Sequence, residues 1–307
     1  MTRNGSTAGD GACVLCGARA FSRLFEKRGW AFVRCTSCGL VSLDPLPSPE
    51  EIAAHHERSY TDGGYATFAA ADEIRRGIAR DRLERARRAA PPGPWLDVGC
   101  STGAFVAAAV ESGIDAEGLE ISSVAVAQAR QRGLRVHQGA VESFSPERRY
   151  AVITAFDVLE HLRDPLEFVR RLGDWLLPDG VLVAAVPNHH SMAARVMRKH
   201  WFYYAPPDHI HYFTPETLRR LLAQGGLTTV DLRPAYKPLT IDYAAEQLAQ
   251  LTPGLAPLAR AVGRILPGRL GARAWPLPLG EIQVVARRTA AHAARDDARA
   301  SQAMEAR

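Results

Sequence analysis

From Trp95 to Arg288 the chain alternates short apolar runs with stretches of helical period. "PWLDVG", "AEGLE", "LRVHQG", "YAVITAF" and "GVLVAAV" read as strands, and the segments between them carry helix starts. Ser122 sits just after Glu120, Asp164-Pro165-Leu166-Glu167 pairs an N-cap with a proline and an acid, and Thr214-Pro215 opens "PETLRRLLAQGG", which stops at Gly225 and Gly226. Such alternation predicts an α/β fold: a doubly wound, Rossmann-like, mostly parallel seven-stranded sheet with helices on both faces. Its last strands are "LTTVDLRP" and "EIQVVARR", the second expected antiparallel near the sheet edge. Ahead of the sheet, "LDPLPSPEE" is a proline-rich linker with a helix start at Ser48 and Pro49. "EIRRGIARDRLERARRA", Glu73 to Ala89, alternates acids and arginines with Ile74, Ile78 and Leu83 on one face, so it reads as a solvated helix packed on the sheet domain.

The first strand runs into "LDVGCSTG", Leu96 to Gly103, a turn suited to a ligand. A nucleoside triphosphate would need a lysine after the glycines, and none occurs between Gly103 and Lys199. A dinucleotide would need G-x-G-x-x-G; here Gly99 and Gly103 flank Ser101 without the repeat. Asp97 decides between the remaining ligands. A carboxylate at the strand end repels pyrophosphate and attracts the ammonium and sulfonium of S-adenosylmethionine (SAM). Glu120, ending the next strand, lies where an acid accepts the ribose hydroxyls of an adenosine. The turn by itself is also compatible with an ordinary strand-to-helix connection.

Four of the five cysteines form "CVLCG" (Cys13, Cys16) and "CTSCG" (Cys35, Cys38), a spacing that fits one four-sulfur zinc site. Four thiolates leave no open position, so such an ion is structural; disulfides are the alternative, disfavoured in a reducing compartment. Cys100 lies in the turn and reads as a small packed residue.

Composition adds limits. With 47% hydrophobic and 23% charged residues in 307, the chain suits a large domain plus a small one. It has no run of 18 apolar residues and no apolar N-terminal stretch, which predicts a cytoplasmic protein. The net charge of +5 is nearly all arginine and points only weakly to a polyanionic partner. The expected division is a zinc ribbon over 1–45, a helical linker over 46–90, a SAM-binding domain over 91–288 with helical lid segments at 188–212 and 236–280, and a loose tail over 289–307.

Taken together, "LDVGCSTG", Glu120, "YAVITAFDVLEHLRDP", "LLPDGVLVAAVPN" and "DHIHYFTPETLRRLLAQGG" resemble the class I SAM-dependent methyltransferases, in the group related to the ubiquinone-biosynthesis O-methyltransferase. The cysteine ribbon is similar to that of many bacterial methyltransferases encoded among saccharide and secondary-metabolite genes. The resemblance implies that Asp97, Gly99, Cys100 and Gly103 border the methionine part of SAM, that Glu120 and Ile121 meet the ribose and its surroundings, and that Phe156 and Asp157 lie beside the sulfonium. Ala140 stands where the family often has Asp, with Glu142 as a substitute for the adenine contact. Some ubiquinone-type relatives hold a divalent ion near a set like Asp157, Glu160 and His161; many relatives with the same "LEHL" need no magnesium.

Methyl transfer to a hydroxyl needs a base, for which histidine is the usual choice. The expected candidates, in order, are His161, His209 and His211, with His189 and His190 also in loops at strand ends. The aromatic stretch "HWFYYAPP" either lines an acceptor pocket or packs a lid. The apolar, arginine-bearing insertion that follows reads as a cover over the acceptor site, or as an interfacial patch for a lipid-linked acceptor and peripheral membrane contact. The function expected is O-methylation of a small-molecule or saccharide acceptor. Its rivals are a zinc-ribbon RNA base methyltransferase, although the ribbon lacks the aromatic platform that nucleic acid would need, and a noncatalytic SAM-fold binding module.

Overall fold

The computed structural model describes residues 11–52, 72–240 and 274–289. Two sheets organise them. The larger has seven strands: β4 (Trp95–Val98), β5 (Ala116–Glu120), β6 (Val136–Gln138), β7 (Tyr150–Phe156), β8 (Leu176–Pro187), β10 (Leu227–Thr240) and β11 (Ala274–Arg288), in the order β10-β11-β8-β7-β4-β5-β6. β6 to β8 run parallel, whereas β11 is antiparallel to both β8 and β10. From β4 the chain winds outward through β5 and β6, then returns across the sheet to β7 and β8. The strand order therefore reverses between β4 and β7, the place where doubly wound folds bind ligands.

Alternate side chains of these strands feed two cores. Leu96, Val98, Leu119, Ile153, Leu182, Ala184 and Val186 pack on one face with Phe168 and Leu172 of α4 (Pro165–Trp175) and Leu218 and Leu221 of α5 (Pro215–Gln224). Trp95, Val152, Phe156, Val181 and Val183 pack on the other with α1 (Asp72–Arg87), α2 (Ala104–Glu111) and α3 (Ser123–Gln131). Each large apolar side chain so buried contributes about 1.5–3 kcal/mol. Helix starts fall where the capping residues indicate. Asp164 accepts from the Glu167 amide, Ser122 from Ala125, and Thr214 and Thr217 close a reciprocal box.

One close approach is decisive for the β4 and β5 registry. A Cβ on Gly118 would lie 2.4 Å from Cys100 Sγ. Cys100 is therefore a packing residue beneath the turn, and burial keeps its thiol pKa well above the ordinary value. Gly118→Ala is expected to destabilise the protein by about 1–3 kcal/mol, and Cys100→Ala in the same chain should recover most of that loss in urea melts.

The second sheet, β1-β2-β3-β9, belongs to the ribbon: β1 (Phe21–Lys27), β2 (Trp30–Cys35), β3 (Val41–Asp44) and β9 (His211–Tyr212). Its fourth strand comes from far along the chain, so the ribbon continues beyond residue 45 into the segment expected to form a lid. Ser48 and Glu51 cap the short helical start after β3. Trp201, Tyr204 and Tyr212 pack with Trp30, Phe32, Val41 and Leu43 in a third core. "HWFYYAPP" thus joins the two sheets, and Trp201 and Tyr204 pack there instead of lining a pocket.

Both ends of the second expected lid segment are strand. Residues 236–240 and 274–280 continue the β10–β11 hairpin, with Lys237 opposite Leu277 and Thr240 opposite Ala274. β10 is an edge strand, where proline is tolerated. The rest of that segment, 241–273, and the tail from 290 lie outside the described residues. Among the described residues, no helix is long and apolar enough to cross a membrane.

Candidate functional site

The turn after β4 is built from left-handed backbone: Gly99, Ser101 and Gly103 have φ of 72°, 51° and 79°. A non-glycine residue at positive φ is uncommon and marks a constrained loop. Glu120 supplies the constraint. Its carboxylate accepts from the Ser101 amide at 2.8 Å and the Ser122 amide at 2.9 Å, clamping the two strand-end turns together. A carboxylate has acceptor capacity beyond two bonds, so this clamp leaves room for ribose hydroxyls. Gly103 caps α2 without a side-chain hydrogen bond, which leaves the first-turn amides of that helix to other partners.

Asp97 is buried at the end of β4 and accepts from Thr154 Oγ1 at 2.6 Å. Burial raises its pKa to about 7, against the Thr154 hydrogen bond and the Arg82 charge, with Glu120 adding to the rise. A buried carboxylate beside a second acid suits a cationic ligand. This donor set fits SAM: two acids for its cationic and ribose parts, and uncapped helix amides for its carboxylate. Phe156 packs edge-on to Phe105. Ile121 is 60% exposed and Ala140 half-buried, at the open end of β5 and β6.

Helix α1 differs from its expected solvated role. Arg75 is buried and donates to Thr102 Oγ1 at 2.6 Å and Ser101 Oγ at 3.3 Å. Arg82 donates to Asp157 at 2.6 Å, lies 3.9 Å from Glu281, and stacks its guanidinium 4.5 Å from the centre of the Phe156 ring. Two arginines of α1 therefore reach the turn after β4 and the end of β7. Asp157 itself has a φ of 57°. Glu281, the residue opposite Pro187 in the β8–β11 pairing, is buried. Burial and the Asp157 charge push its pKa up, opposed by Arg82. Tyr203 donates to Glu281.

Beyond β7, Leu159–His161 is a single turn of 3-10 helix. It brings His161 against His209, with ring centroids 4.7 Å apart at 90°. His161 Nδ1 bonds the Asp208 carbonyl at 2.9 Å and its carboxylate at 3.1 Å, and His209 Nδ1 bonds the Tyr203 carbonyl at 2.8 Å. A carbonyl only accepts, so each Nδ1 carries a hydrogen. Asp208 Oδ2 is 3.9 Å from His209 Nε2. Burial alone would lower the His161 pKa, but the Asp208 carboxylate raises it to about 10. His161 is therefore an imidazolium at neutral pH. Glu160, His161 and His209 each offer a ligand atom within 4.8 Å of the others; Asp157, expected in that group, is engaged by Arg82.

His211 lies elsewhere. Its ring is buried against the ribbon, with Nδ1 2.8 Å from Ser42 Oγ, and burial lowers its pKa to about 4. A base must reach the acceptor oxygen, and this ring faces the small sheet. His189 also points to the ribbon side, between Tyr204 Oη at 2.6 Å and Arg34 at 3.4 Å. The His190 amide donates to Asn188 Oδ1.

The four cysteines lie with their sulfurs within 4.8 Å of one another, Cys13 and Cys38 at 3.5 Å, Cys16 and Cys35 at 3.5 Å. Tetrahedral zinc with bonds of about 2.3 Å puts its sulfurs roughly 3.8 Å apart. The cluster is compatible with that ion. The Cys13–Cys38 hydrogen bond draws the Cys13 thiol pKa down and pushes that of Cys38 up.

Sequence reasoning missed Arg75, Arg82, Tyr203, Asp208 and Glu281. Glu281 had a signal: it opens the "EIQVVARR" run, and the start of an antiparallel pairing lies at the carboxyl end of the parallel neighbour, here Pro187 of β8. Asp208 stood in "DHIH" beside histidines that drew the attention.

Residues 70–232, just over half of the chain, match a methyltransferase domain family. The ubiquinone biosynthesis O-methyltransferase of Ruegeria pomeroyi is 28% identical over 181 residues, covering 54% of this chain and 70% of that one. The corresponding enzyme of Aromatoleum aromaticum is 26% identical over 164 residues, covering 48% and 70%. Among solved structures, a SAM-dependent methyltransferase of Thermotoga maritima, described as a possible histamine N-methyltransferase, superposes with a TM-score of 0.52 at 16% identity, covering 76% of this chain and 99% of that one; this likeness is one of fold. The turn, the seven-stranded sheet and these relatives agree that the chain belongs to the methyltransferase domain family and is a SAM-dependent methyltransferase.

Proposed function

We propose that this methyltransferase acts on a hydroxyl of a small-molecule or saccharide acceptor, with the His161–Asp208–His209 cluster on the acceptor side. The observation that carries the reading is the pairing of a buried imidazole, His209, with a half-buried one, His161, whose Nδ1 hydrogens are both fixed by backbone carbonyls, at the carboxyl end of the sheet. SAM supplies, when bound, a methyl carbon activated by its sulfonium. Asp97, Gly99, Gly103, Glu120, Phe156 and Asp157 border that cofactor, with Ile121 and Ala140 toward its adenosine end, while Cys100 supports the turn from below.

The protein's own groups divide the proton handling. His209, with its hydrogen on Nδ1, presents the Nε2 lone pair and takes the acceptor proton. His161, already cationic, donates toward the oxygen as it loses that proton. Asp208, close to both rings, stabilises the added positive charge. This order reverses the expectation that His161 is the base, because a histidine with a pKa of about 10 is seldom neutral at pH 7. The donor set here, two imidazoles and one carboxylate, suits a softer ion better than magnesium, which takes oxygen ligands.

An RNA acceptor is less well supported. Among the described residues the aromatic rings of the ribbon serve packing: Trp30 and Phe32 are buried, Phe25 is half-buried and stacks on Phe32, and Phe21 is half-buried against the main core, which does not make a stacking platform for bases. Labelled SAM incubated with sugar, phenol and RNA panels tests the reading. Label entering a sugar or phenol hydroxyl is expected, and label entering RNA alone would reject it. For the ribbon, metal analysis of protein purified under reducing conditions without chelator is expected to give one zinc per chain, lost on replacing Cys35 or Cys38 by serine.

A further inference from the structure

We infer that the four-cysteine ribbon is a positioning element of the methyl-transfer site, acting through β3 and β9 on Asp208, His209 and His161. The inference rests on the reading of those histidines as acceptor-side groups.

Ile210 is the joint. Its carbonyl accepts from the Leu43 amide of the ribbon at 3.0 Å, while its own amide donates to the Glu160 carbonyl at 2.7 Å. One peptide segment therefore ties ribbon strand β3 to the 3-10 turn that carries His161. On either side of Ile210 the ties repeat. Ser42 pairs with His211 across the β3–β9 ladder, and their side chains meet at 2.8 Å in a buried contact. Tyr212 donates its hydroxyl to the His209 carbonyl at 2.8 Å and packs its ring against Phe32 of β2. The ribbon end of this path is set by the cysteine knuckle, where the Cys35 amide donates to the Leu40 carbonyl directly before β3.

β9 is only two residues long and has no other strand partner in the small sheet. A ladder that short does not hold register unaided; the buried Ser42–His211 contact and the Tyr212 anchor fix it. Displacing β9 would move Asp208 and His209 relative to His161, and placement errors near 1 Å are enough to slow a reaction markedly. The SAM turn is untouched by this path: its clamp runs through Glu120, Ser101 and Ser122. The ribbon should therefore govern turnover and not cofactor affinity.

The test uses the full chain labelled with 15N-histidine, with Ser42→Ala, Ser42→Thr and His209→Ala compared to the parent. Ser42→Ala is expected to displace the ring signals of His161 and His209, leave the SAM dissociation constant within about twofold, and lower kcat on the hydroxyl acceptor from the labelled-SAM screen by roughly tenfold; Ser42→Thr should restore the ring signals and kcat. Unmoved ring signals with parental kcat in Ser42→Ala, alongside an inactive His209→Ala, would overturn the inference and leave the base assignment standing. Parental turnover in His209→Ala would instead reject the base assignment, with the ring signals still deciding whether the ribbon positions the cluster. If Ser42→Ala does not fold, chelation of zinc from the parent replaces it: displaced ring signals with SAM binding kept support the inference, and loss of SAM binding together with the ring signals, or unmoved rings, overturns it.

Discussion

His209→Ala is expected to lower turnover on a hydroxyl acceptor by roughly 10²–10⁴-fold while SAM affinity stays at the parental value. The first effect follows from removing the Nε2 lone pair that receives the proton, and the second from the separate networks, since His209 bonds Tyr203 and neighbours Asp208 while Glu120 holds the turn after β4. His161→Ala should act in the same direction, because it removes the cation that steadies the forming oxyanion. The two differ in pH dependence. His161 must keep its proton, so kcat is expected to fall above about pH 10, where that proton leaves. Asp208→Asn removes the anion that raises His161, and the descending limb should move to lower pH. A pH–rate profile of Asp208→Asn that superposes on the parent, or near-normal turnover in both histidine variants, would remove acid–base chemistry from this cluster and leave alignment as the source of the rate.

Much of this arrangement was legible in the chain, and the gaps have identifiable causes. Apolar runs of strand length between capped helices defined the sheet, because the period of a fully buried strand and the chemistry of Asp164, Ser122 and Thr214 are local. The strand turn with Asp97 and Glu120 was legible for the same reason. Charge on α1 was not. Acids and arginines at helical spacing look solvated, yet Arg75 and Arg82 turn inward to Thr102, Asp157 and Glu281, partners far away in sequence that no period reveals. The β10–β11 pairing runs past the expected strand ends: Pro238 lies on β10, an edge strand that admits proline, and Pro276 lies on β11 outside the stretch paired with β8. β9 left no trace because two residues cannot show an alternation. Without it, His211 stands in the sequence as a third candidate base after His209, whereas the small sheet holds it against Ser42.

Asp97 carries the other large effect. Asp97→Asn is expected to weaken SAM binding by roughly ten- to hundred-fold, the range for losing a hydrogen bond or ion pair to a charged group of about 1.5–3 kcal/mol. Its pKa, raised to about 7 by burial, adds a pH signature. A carboxyl group raised in the folded protein favours its neutral form there, so its contribution to stability is present below the ordinary carboxylate pKa and is lost as pH rises through about 7. A bound cation reverses that preference by stabilising the carboxylate. SAM should therefore bind more tightly as pH rises, gaining up to about tenfold per unit below pH 7 and levelling off above it. The increase in melting temperature on adding SAM should grow over the same window. In Asp97→Asn, which cannot ionise, both dependences should flatten. Calorimetric titrations between pH 5.5 and 8.5 distinguish this from a purely structural Asp97: a parent whose SAM affinity does not change with pH, or a variant that keeps parental affinity, would mean that the buried carboxylate serves Thr154 and the strand and does not meet the cofactor's charge.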